Sequence, residues 1–130
     1  MYENTNVIVL DDSSNFKRSD FEISDNHIKI KNKKFKGPGI IKIWWNQCPP
    51  CLQKVPLLIA LANALKDHNT GIYIYSFEGT SENNSVLGNR LLAGGFPTFR
   101  NVNRDGTIDI SKSLNINSVE DIINEFMKNE

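Results

Sequence analysis

The stretch from residue 44 to residue 51, Trp-Trp-Asn-Gln-Cys-Pro-Pro-Cys, limits most strongly what this chain can fold into. A mostly apolar run at residues 40–45 leads into it, and apolar residues at helical spacing follow it at once. The pattern predicts a strand that ends just before Cys48 and a helix that begins there. Free backbone N–H groups and the positive dipole end at a helix N-terminus favour a thiolate, so this is a position for a reactive thiol.

The length and charge of the chain narrow the classes of function. The 130 residues are 39% hydrophobic, 23% charged and have a formal net charge of zero. We expect a single domain over 1–130 with its own core. Neutrality gives no general electrostatic reason to bind nucleic acid or an anionic membrane. No apolar run approaches the ~20 residues of a spanning helix.

The first residues and the cysteine count bear on location. Residues 1–6 lack the basic and apolar regions of a signal peptide, so we expect none. The two cysteines cannot form the disulfide framework of small secreted proteins. We therefore expect a reducing compartment, the cytoplasm.

Periodicity predicts the order of the elements. Alternating or apolar runs predict strands at 7–10, 28–30, 40–45 and 72–77, and the Asn-Arg-Asp-Gly of residues 103–106 predicts a hairpin between 99–102 and 107–110. Apolar stripes predict helices over 52–69, 86–91 and 119–127. This order predicts an α/β sheet with helices layered on both of its faces.

Five lysines fall between Lys29 and Lys36, which raises the possibility of an anion-binding patch. A single aromatic residue, Phe35, lies among them, which is fewer than a stacking platform for nucleic acid would require. We therefore interpret these lysines as a solvated strand face.

Four features together resemble the thioredoxin-fold protein disulfide oxidoreductases, a class that includes thioredoxins and protein-disulfide-isomerase domains. They are an apolar strand into the C-P-P-C of residues 48–51, Pro56 inside the next helix, the G-F-P-T of residues 95–98, and a hairpin followed by a C-terminal helix. The resemblance covers residues 37–127, with residues 1–36 as an N-terminal extension carrying edge strands. It implies the thioredoxin fold, a central mixed sheet flanked by helices on both faces. In the family the proline that Pro97 matches is cis and faces the disulfide, where its backbone neighbour pairs with an extended substrate strand.

A second resemblance is to the disulfide-isomerase-like domains of large DNA viruses. It lies in the asparagine- and lysine-rich composition and in the Gly37-Pro38-Gly39 that leads into the strand. It would add the virion to the expected locations.

The resemblance implies a thiol–disulfide oxidoreductase that reduces protein disulfides. Cys48 is the expected nucleophile and Cys51 the resolving thiol, with Pro97 beside them. The expected substrate-binding residues are Trp45, Gln47, Pro49, Pro50 and Phe96. We expect no bound cofactor, because the Cys48–Cys51 pair is itself the redox group. The expected partners are protein disulfides and an external reductant, either a reductase protein or glutathione.

Pro49 and Pro50 bear on the direction of the reaction because neither has a backbone N–H. They cannot donate to the Cys48 sulfur, so we expect a thiolate less stabilised than in strongly oxidising members. Thiol pKa values in the family run from about 3.5 to about 7, and we place Cys48 toward the upper end. This expectation favours a protein that reduces disulfides, although an oxidant or isomerase would use the same residues.

Two positions depart from the family pattern. Lys42 stands where the family usually has a buried acid that helps to deprotonate the resolving thiol. One hypothesis is a reversed charge pair with Glu78 that relays protons to Cys51, and the alternative is that Lys42 extends to solvent. Gln47 replaces the usual Trp before the first cysteine, so we expect a different choice of partner.

Three other interpretations compete with redox catalysis. A zinc site would need two ligands besides the cysteines, and only His27 and His68 exist, without the paired spacing of a zinc module. A structural Cys48–Cys51 disulfide would close too small a loop to stabilise the fold much. A non-catalytic binding module of the same fold stays open, although it would have no chemical need for both thiols.

Overall fold

A computed structural model describes residues 7–10, 18–31, 33, 35–45, 47, 49–50, 73–80 and 84–114. These ranges contain β1 (Val7–Leu10), β2 (Phe21–Ile23), β3 (Ile28–Ile30), β4 (Gly39–Trp44), β5 (Tyr73–Glu78), α1 (Ser85–Leu91) and β6 (Thr98–Val102). The predicted helices over 52–69 and 119–127 lie outside the described residues. Within the described ranges, no helix is long and apolar enough to cross a membrane.

A mixed four-stranded sheet, in the order β1-β5-β4-β6, forms the centre of the structure. β1 and β4 are both parallel to β5, and β6 is antiparallel to β4. β4 has the near-continuous apolar run of a strand buried on both faces. The predicted α/β class is confirmed, and the predicted strands agree with β1, β3, β4 and β5 to within one residue at each end.

The two faces of the sheet carry different kinds of side chain. Side chains of β4 and β5 alternate, and one face joins the apolar cluster that α1 completes with Leu87 and Leu91. On that face lie Ile41, Ile43, Tyr75 and Phe77. The opposite face carries Lys42 and Trp44 of β4 beside Ser76 and Glu78 of β5.

Two glycines set the distance between α1 and the sheet. Gly88 in α1 lies against Gly79, the residue that follows β5, and a Cβ on Gly88 would overlap the Gly79 carbonyl group. Any larger residue at position 88 would therefore push the helix away from the end of the sheet.

The N-terminal hairpin β2–β3 is part of the same core. Its strands pair antiparallel, and Phe21, Ile28 and Ile30 are buried in the main apolar cluster. The ring of Phe21 lies edge-on to that of Phe77, with centroids 5.3 Å apart. The β2–β3 hairpin is therefore part of the hydrophobic core.

The hairpin after β6 links the two sheets. Its turn closes through the Gly106 N–H, which donates to the Asn103 carbonyl at 3.0 Å. The Ile108 N–H then donates to the Ile28 carbonyl of β3 at 2.8 Å. The predicted second strand, 107–110, is too long: it is reduced to bridges at Thr107 and Ile108, beside which the Asp109 N–H donates to the Asn101 carbonyl at 2.9 Å. The chain turns away at Asp109, whose carboxylate accepts from the Ser111 N–H and hydroxyl.

Tyr75 fastens the loop that leads into β4. Its side chain is fully buried. The hydroxyl donates to the Gly37 carbonyl at 2.7 Å and accepts from the N–H groups of Lys36 and Gly37 at 3.0 and 3.1 Å. One side chain thus satisfies three backbone groups of a loop almost forty residues earlier in the chain.

We expect Tyr75→Phe to lower the free energy of unfolding by about 1–3 kcal/mol, because it leaves these backbone groups without their partner. Urea denaturation measures the change. Tyr73→Phe is the matched control, since Tyr73 lies on the same strand and is only half-buried. Equal losses in the two variants would contradict the assigned role of the Tyr75 hydroxyl.

Candidate active site

The chain passes from strand to helix where the sequence predicts. β4 ends at Trp44, and Pro49 and Pro50 already have helical conformation. Proline fits the first turn of a helix because its missing N–H would have no partner there. Gln47, Pro49 and Pro50 are exposed. Cys48 and Cys51 lie outside the described residues, so their roles stay predictions.

A tight loop between α1 and β6 carries Phe96 and Pro97. The resemblance implies a cis bond before Pro97, and the Phe96–Pro97 peptide bond is cis in the structure. The Thr98 hydroxyl donates to the Gly95 carbonyl at 2.6 Å and accepts from the Ala93 N–H at 3.1 Å. These two bonds hold the ends of the loop together, and Phe96 and Pro97 are half-buried.

Arg100 fixes the start of the same loop. It is buried, and its Nε donates to the Leu91 carbonyl at 2.8 Å while Nη2 donates to the Leu92 carbonyl at 3.2 Å. These carbonyl groups at the end of α1 have no partner further along the helix. Sequence reasoning assigned Arg100 no role, because nothing local indicates that β6 crosses beneath the end of α1.

An aromatic contact brings the two loops together. The rings of Trp45 and Phe96 have centroids 6.2 Å apart and are tilted by 41°. Trp45 remains 38% exposed. The structure therefore unites Trp45, from the segment before the cysteines, with the residue that precedes Pro97.

Gly79 makes room for Phe96, which sequence reasoning missed. A Cβ at this position would lie 3.4 Å from Phe96 Cε1 and 3.1 Å from Ile43 Cγ2. In the sequence Gly79 follows the predicted strand 72–77 and carries no local sign of this contact. Its packing role depends on a residue far along the chain.

The two tryptophans separate as alternation predicts. Trp44 lies on the face of the sheet that carries Lys42, and the Lys42 Nζ is 5.9 Å from the centroid of its ring. A cation at this distance is attracted to the face of an indole. The Trp44 indole nitrogen is buried, with no hydrogen-bond acceptor among the described residues.

Lys42 and Glu78 are both buried, 2% and 6% exposed. Lys42 lies two residues before the end of β4, and Glu78 is the last residue of the adjacent strand β5. In the register Lys42 is opposite Ser76 and Trp44 is opposite Glu78, so the two charged residues are diagonal neighbours on one face. Glu78 accepts hydrogen bonds from the Thr80 N–H at 2.5 Å and hydroxyl at 2.6 Å. Burial lowers the pKa of Lys42 from 10.5 to about 8. The alternative in which Lys42 extends to solvent is wrong.

The chain is similar to solved structures although its sequence is far from theirs. No protein-family model matches it, and no curated protein matches it in sequence. A chain of the complex of ferredoxin:thioredoxin reductase with thioredoxin f2 superposes with a TM-score of 0.60 and 13% identity, over 96% of each chain. The structure of ERdj5 form II superposes with a TM-score of 0.62 and 19% sequence identity, over 97% of this chain and 14% of that chain.

The first thioredoxin domain of mouse protein disulfide-isomerase A4 gives a TM-score of 0.54 and 18% identity, over 83% of this chain and 78% of that one. At such identities the likeness is one of fold. The mixed sheet, the helix α1 and these superpositions together show that the chain has the thioredoxin fold.

Proposed function

We propose that this chain is a thiol–disulfide oxidoreductase that reduces protein disulfides with the dithiol of Cys48 and Cys51. The contact between Trp45 and Phe96 carries the proposal, because it holds the segment that enters the C-P-P-C motif beside Pro97. The thioredoxin fold and the helical start at Pro49 support it.

The proposed reaction has two exchanges of sulfur partners. The Cys48 thiolate attacks one sulfur of a substrate disulfide, the substrate S–S bond breaks, and a Cys48–substrate disulfide forms with release of the first substrate thiolate. The Cys51 thiolate then attacks the Cys48 sulfur, which forms the Cys48–Cys51 disulfide and releases the second substrate thiolate. Two electrons pass to the substrate, and two protons complete its thiols. An external dithiol or glutathione restores the enzyme.

Lys42 and Glu78 are the proposed proton-handling residues. A group with a pKa near the working pH both accepts and releases protons readily, and burial brings Lys42 to about 8. Glu78 is the carboxylate on the same face of the neighbouring strand, held by Thr80. We propose that this pair takes up the proton of Cys51 before the second exchange.

Catalytic reduction of a protein disulfide is the direct test of the proposed function. With insulin as substrate and dithiothreitol as the recycling reductant, we expect turnover by the wild type and loss of turnover in Cys48→Ser. Reduced Cys51→Ser mixed with insulin in the absence of dithiothreitol should stop after the first exchange and accumulate a Cys48–substrate disulfide, visible as a mass increase. A wild type no faster than dithiothreitol alone would exclude the enzyme and leave the binding module.

The reduction potential of the Cys48–Cys51 couple decides the direction of the reaction. Because Pro49 and Pro50 cannot donate to the Cys48 sulfur, we expect a value near that of thioredoxin, about −270 mV. Equilibration in graded dithiothreitol or glutathione buffers, followed by thiol alkylation, measures it. A value above about −200 mV would instead indicate an oxidant or isomerase.

We expect Lys42→Met to change how stability depends on pH. The pKa of Lys42 is about 8 in the folded protein against 10.5 ordinarily, so between these values the unfolded chain binds more protons than the folded one. The free energy of unfolding of the wild type therefore rises with pH across this window, and that of the variant lacks the rise. Urea denaturation at a series of pH values measures the difference.

Lys31→Met is the control, because Lys31 is exposed and its variant should keep the rise. The same variants also test proton transfer. The quantity to measure is the rate at which substrate is released from the Cys48 mixed disulfide, by rapid-mixing kinetics. A release rate that Lys42→Met leaves unchanged at every pH would contradict the relay to Cys51.

A further inference from the structure

The loop between β3 and β4 concentrates positive charge at the end of the sheet where β4 and β5 begin. Residues 29–36 contain five lysines and no acidic residue, in a chain whose formal net charge is zero. β3 ends at Ile30, so Lys33 and Lys36 belong to the loop and not to a strand face. Both of these lysines are exposed.

The turn after β6 brings a further cation to the same place. β6 is antiparallel to β4, and its last residue, Val102, is paired with Gly39 at the start of β4. The turn packs on the loop, because the Ile30 N–H donates to the Gly106 carbonyl at 3.0 Å and a Cβ on Gly106 would lie 3.6 Å from the Phe35 ring. The exposed cations of the loop and the turn form what we call the basic surface: Lys31, Lys33, Lys36 and Arg104.

The backbone beneath the basic surface is held in one conformation. The Phe35 N–H donates to the Lys31 carbonyl at 3.0 Å, which closes one turn of the chain. The buried Tyr75 hydroxyl binds the backbone of Lys36 and Gly37, and the Phe35 ring packs against the apolar core. A surface that is ordered before binding loses less conformational entropy when a partner arrives.

Acidic residues lie along one border of the basic surface. Across the β2–β3 hairpin Glu22 is opposite Lys29, and the Asp20 carbonyl accepts from the Lys31 N–H at 3.0 Å. A nucleic acid duplex carries one negative charge per about 1.7 Å of its axis, so it would meet these carboxylates together with the lysines. A short peptide can place its own carboxylates on the cations alone, which favours a peptide as the occupant.

The remaining cations of the surface have no carboxylate bound to them. Asp105 follows Arg104, but its carboxylate accepts from the Thr107 N–H and hydroxyl at 2.9 and 2.6 Å. Within the described ranges, Lys33, Lys36 and Arg104 form no ion pair. Three exposed positive charges are therefore available to negative charges from outside the chain.

The basic surface and the cysteine motif lie at opposite ends of β4. The basic loop precedes Gly39, and the motif follows Trp44. The six residues of β4, at about 3.3 Å each, separate the two by about 20 Å. A partner bound at the basic surface therefore leaves the cysteine motif accessible.

We infer that the basic surface binds an acidic segment of a partner protein, a short stretch in which several residues are Asp or Glu. Such binding holds this chain beside the partner while the cysteine motif stays open to disulfides. The inference goes beyond the proposed function and does not depend on it.

The test uses a fluorescently labelled peptide of alternating Glu and Ser, with the same peptide carrying Gln for Glu as the neutral control. Fluorescence anisotropy measures binding to the full chain, and we expect only the Glu peptide to bind. Its affinity should fall on the order of tenfold between about 10 and 150 mM salt, because the Debye length falls from about 30 Å to about 8 Å.

Lys36→Glu should weaken binding of the Glu peptide on the order of tenfold, because it replaces an attraction by a repulsion. Lys112→Glu is the matched control and should keep the wild-type affinity. It makes the same change in net charge at an exposed position near the start of β6, where the Leu114 N–H donates to the Phe99 carbonyl. Should Lys36→Glu fail to fold, Lys33→Glu makes the same comparison.

No binding of the Glu peptide at low salt, or equal losses in Lys36→Glu and Lys112→Glu, would overturn this inference. Tighter binding of a single-stranded oligonucleotide with the same number of charges would overturn it in favour of nucleic acid. None of these measurements involves disulfide chemistry, so the insulin assay decides the proposed function separately.

Discussion

The contact between Gly79 and Gly88 governs the geometry around the candidate site. Helix α1 comes as close to the end of β5 as two backbones allow, because neither residue has a side chain at the contact. The loop after α1 therefore begins close to the sheet, where the Arg100 guanidinium of β6 donates hydrogen bonds to the Leu91 and Leu92 carbonyls. Phe96 then occupies the space above Gly79, and Trp45 packs against it.

The face of the sheet that is turned away from α1 carries a buried lysine, Lys42. Burying a lysine in the middle of a sheet opposes folding unless other groups compensate. The face of the Trp44 ring near the ammonium group supplies part of that compensation. A cation at this position, close to the strand end that leads to the cysteines, would favour thiolate where a buried acid would disfavour it.

The parts of the fold that could be predicted are those indicated by local sequence patterns. Period-two alternation locates β3, and an apolar run between Gly71 and Gly79 locates β5. The mostly apolar run that follows Gly39 and leads into C-P-P-C locates β4. The proximity of Phe96 to Trp45 came from the resemblance, which sets two distant motifs beside each other.

The remaining features depend on residues far apart in the chain. The Tyr75 hydroxyl serves a loop 38 residues earlier, and the Arg90 guanidinium donates to the Ser24 carbonyl 66 residues earlier. No local pattern encodes such pairings. The strand after the hairpin was predicted too long because Asp109 was treated as a strand residue, whereas its carboxylate closes a turn onto Ser111.

The bond between β3 and the hairpin after β6 has a consequence for synthesis of the chain on the ribosome. Ile28 and Ile30 are made early, but their backbone partners, Gly106 and Ile108, come near the end of the described chain. Until then the β2–β3 hairpin has one edge unpaired and an apolar face without a complete core. Native pairing of this kind closes late and leaves the nascent chain open to association with other chains. A chaperone that shields the β2–β3 hairpin would therefore protect apolar surface that has no partner until residues 106–108 are made.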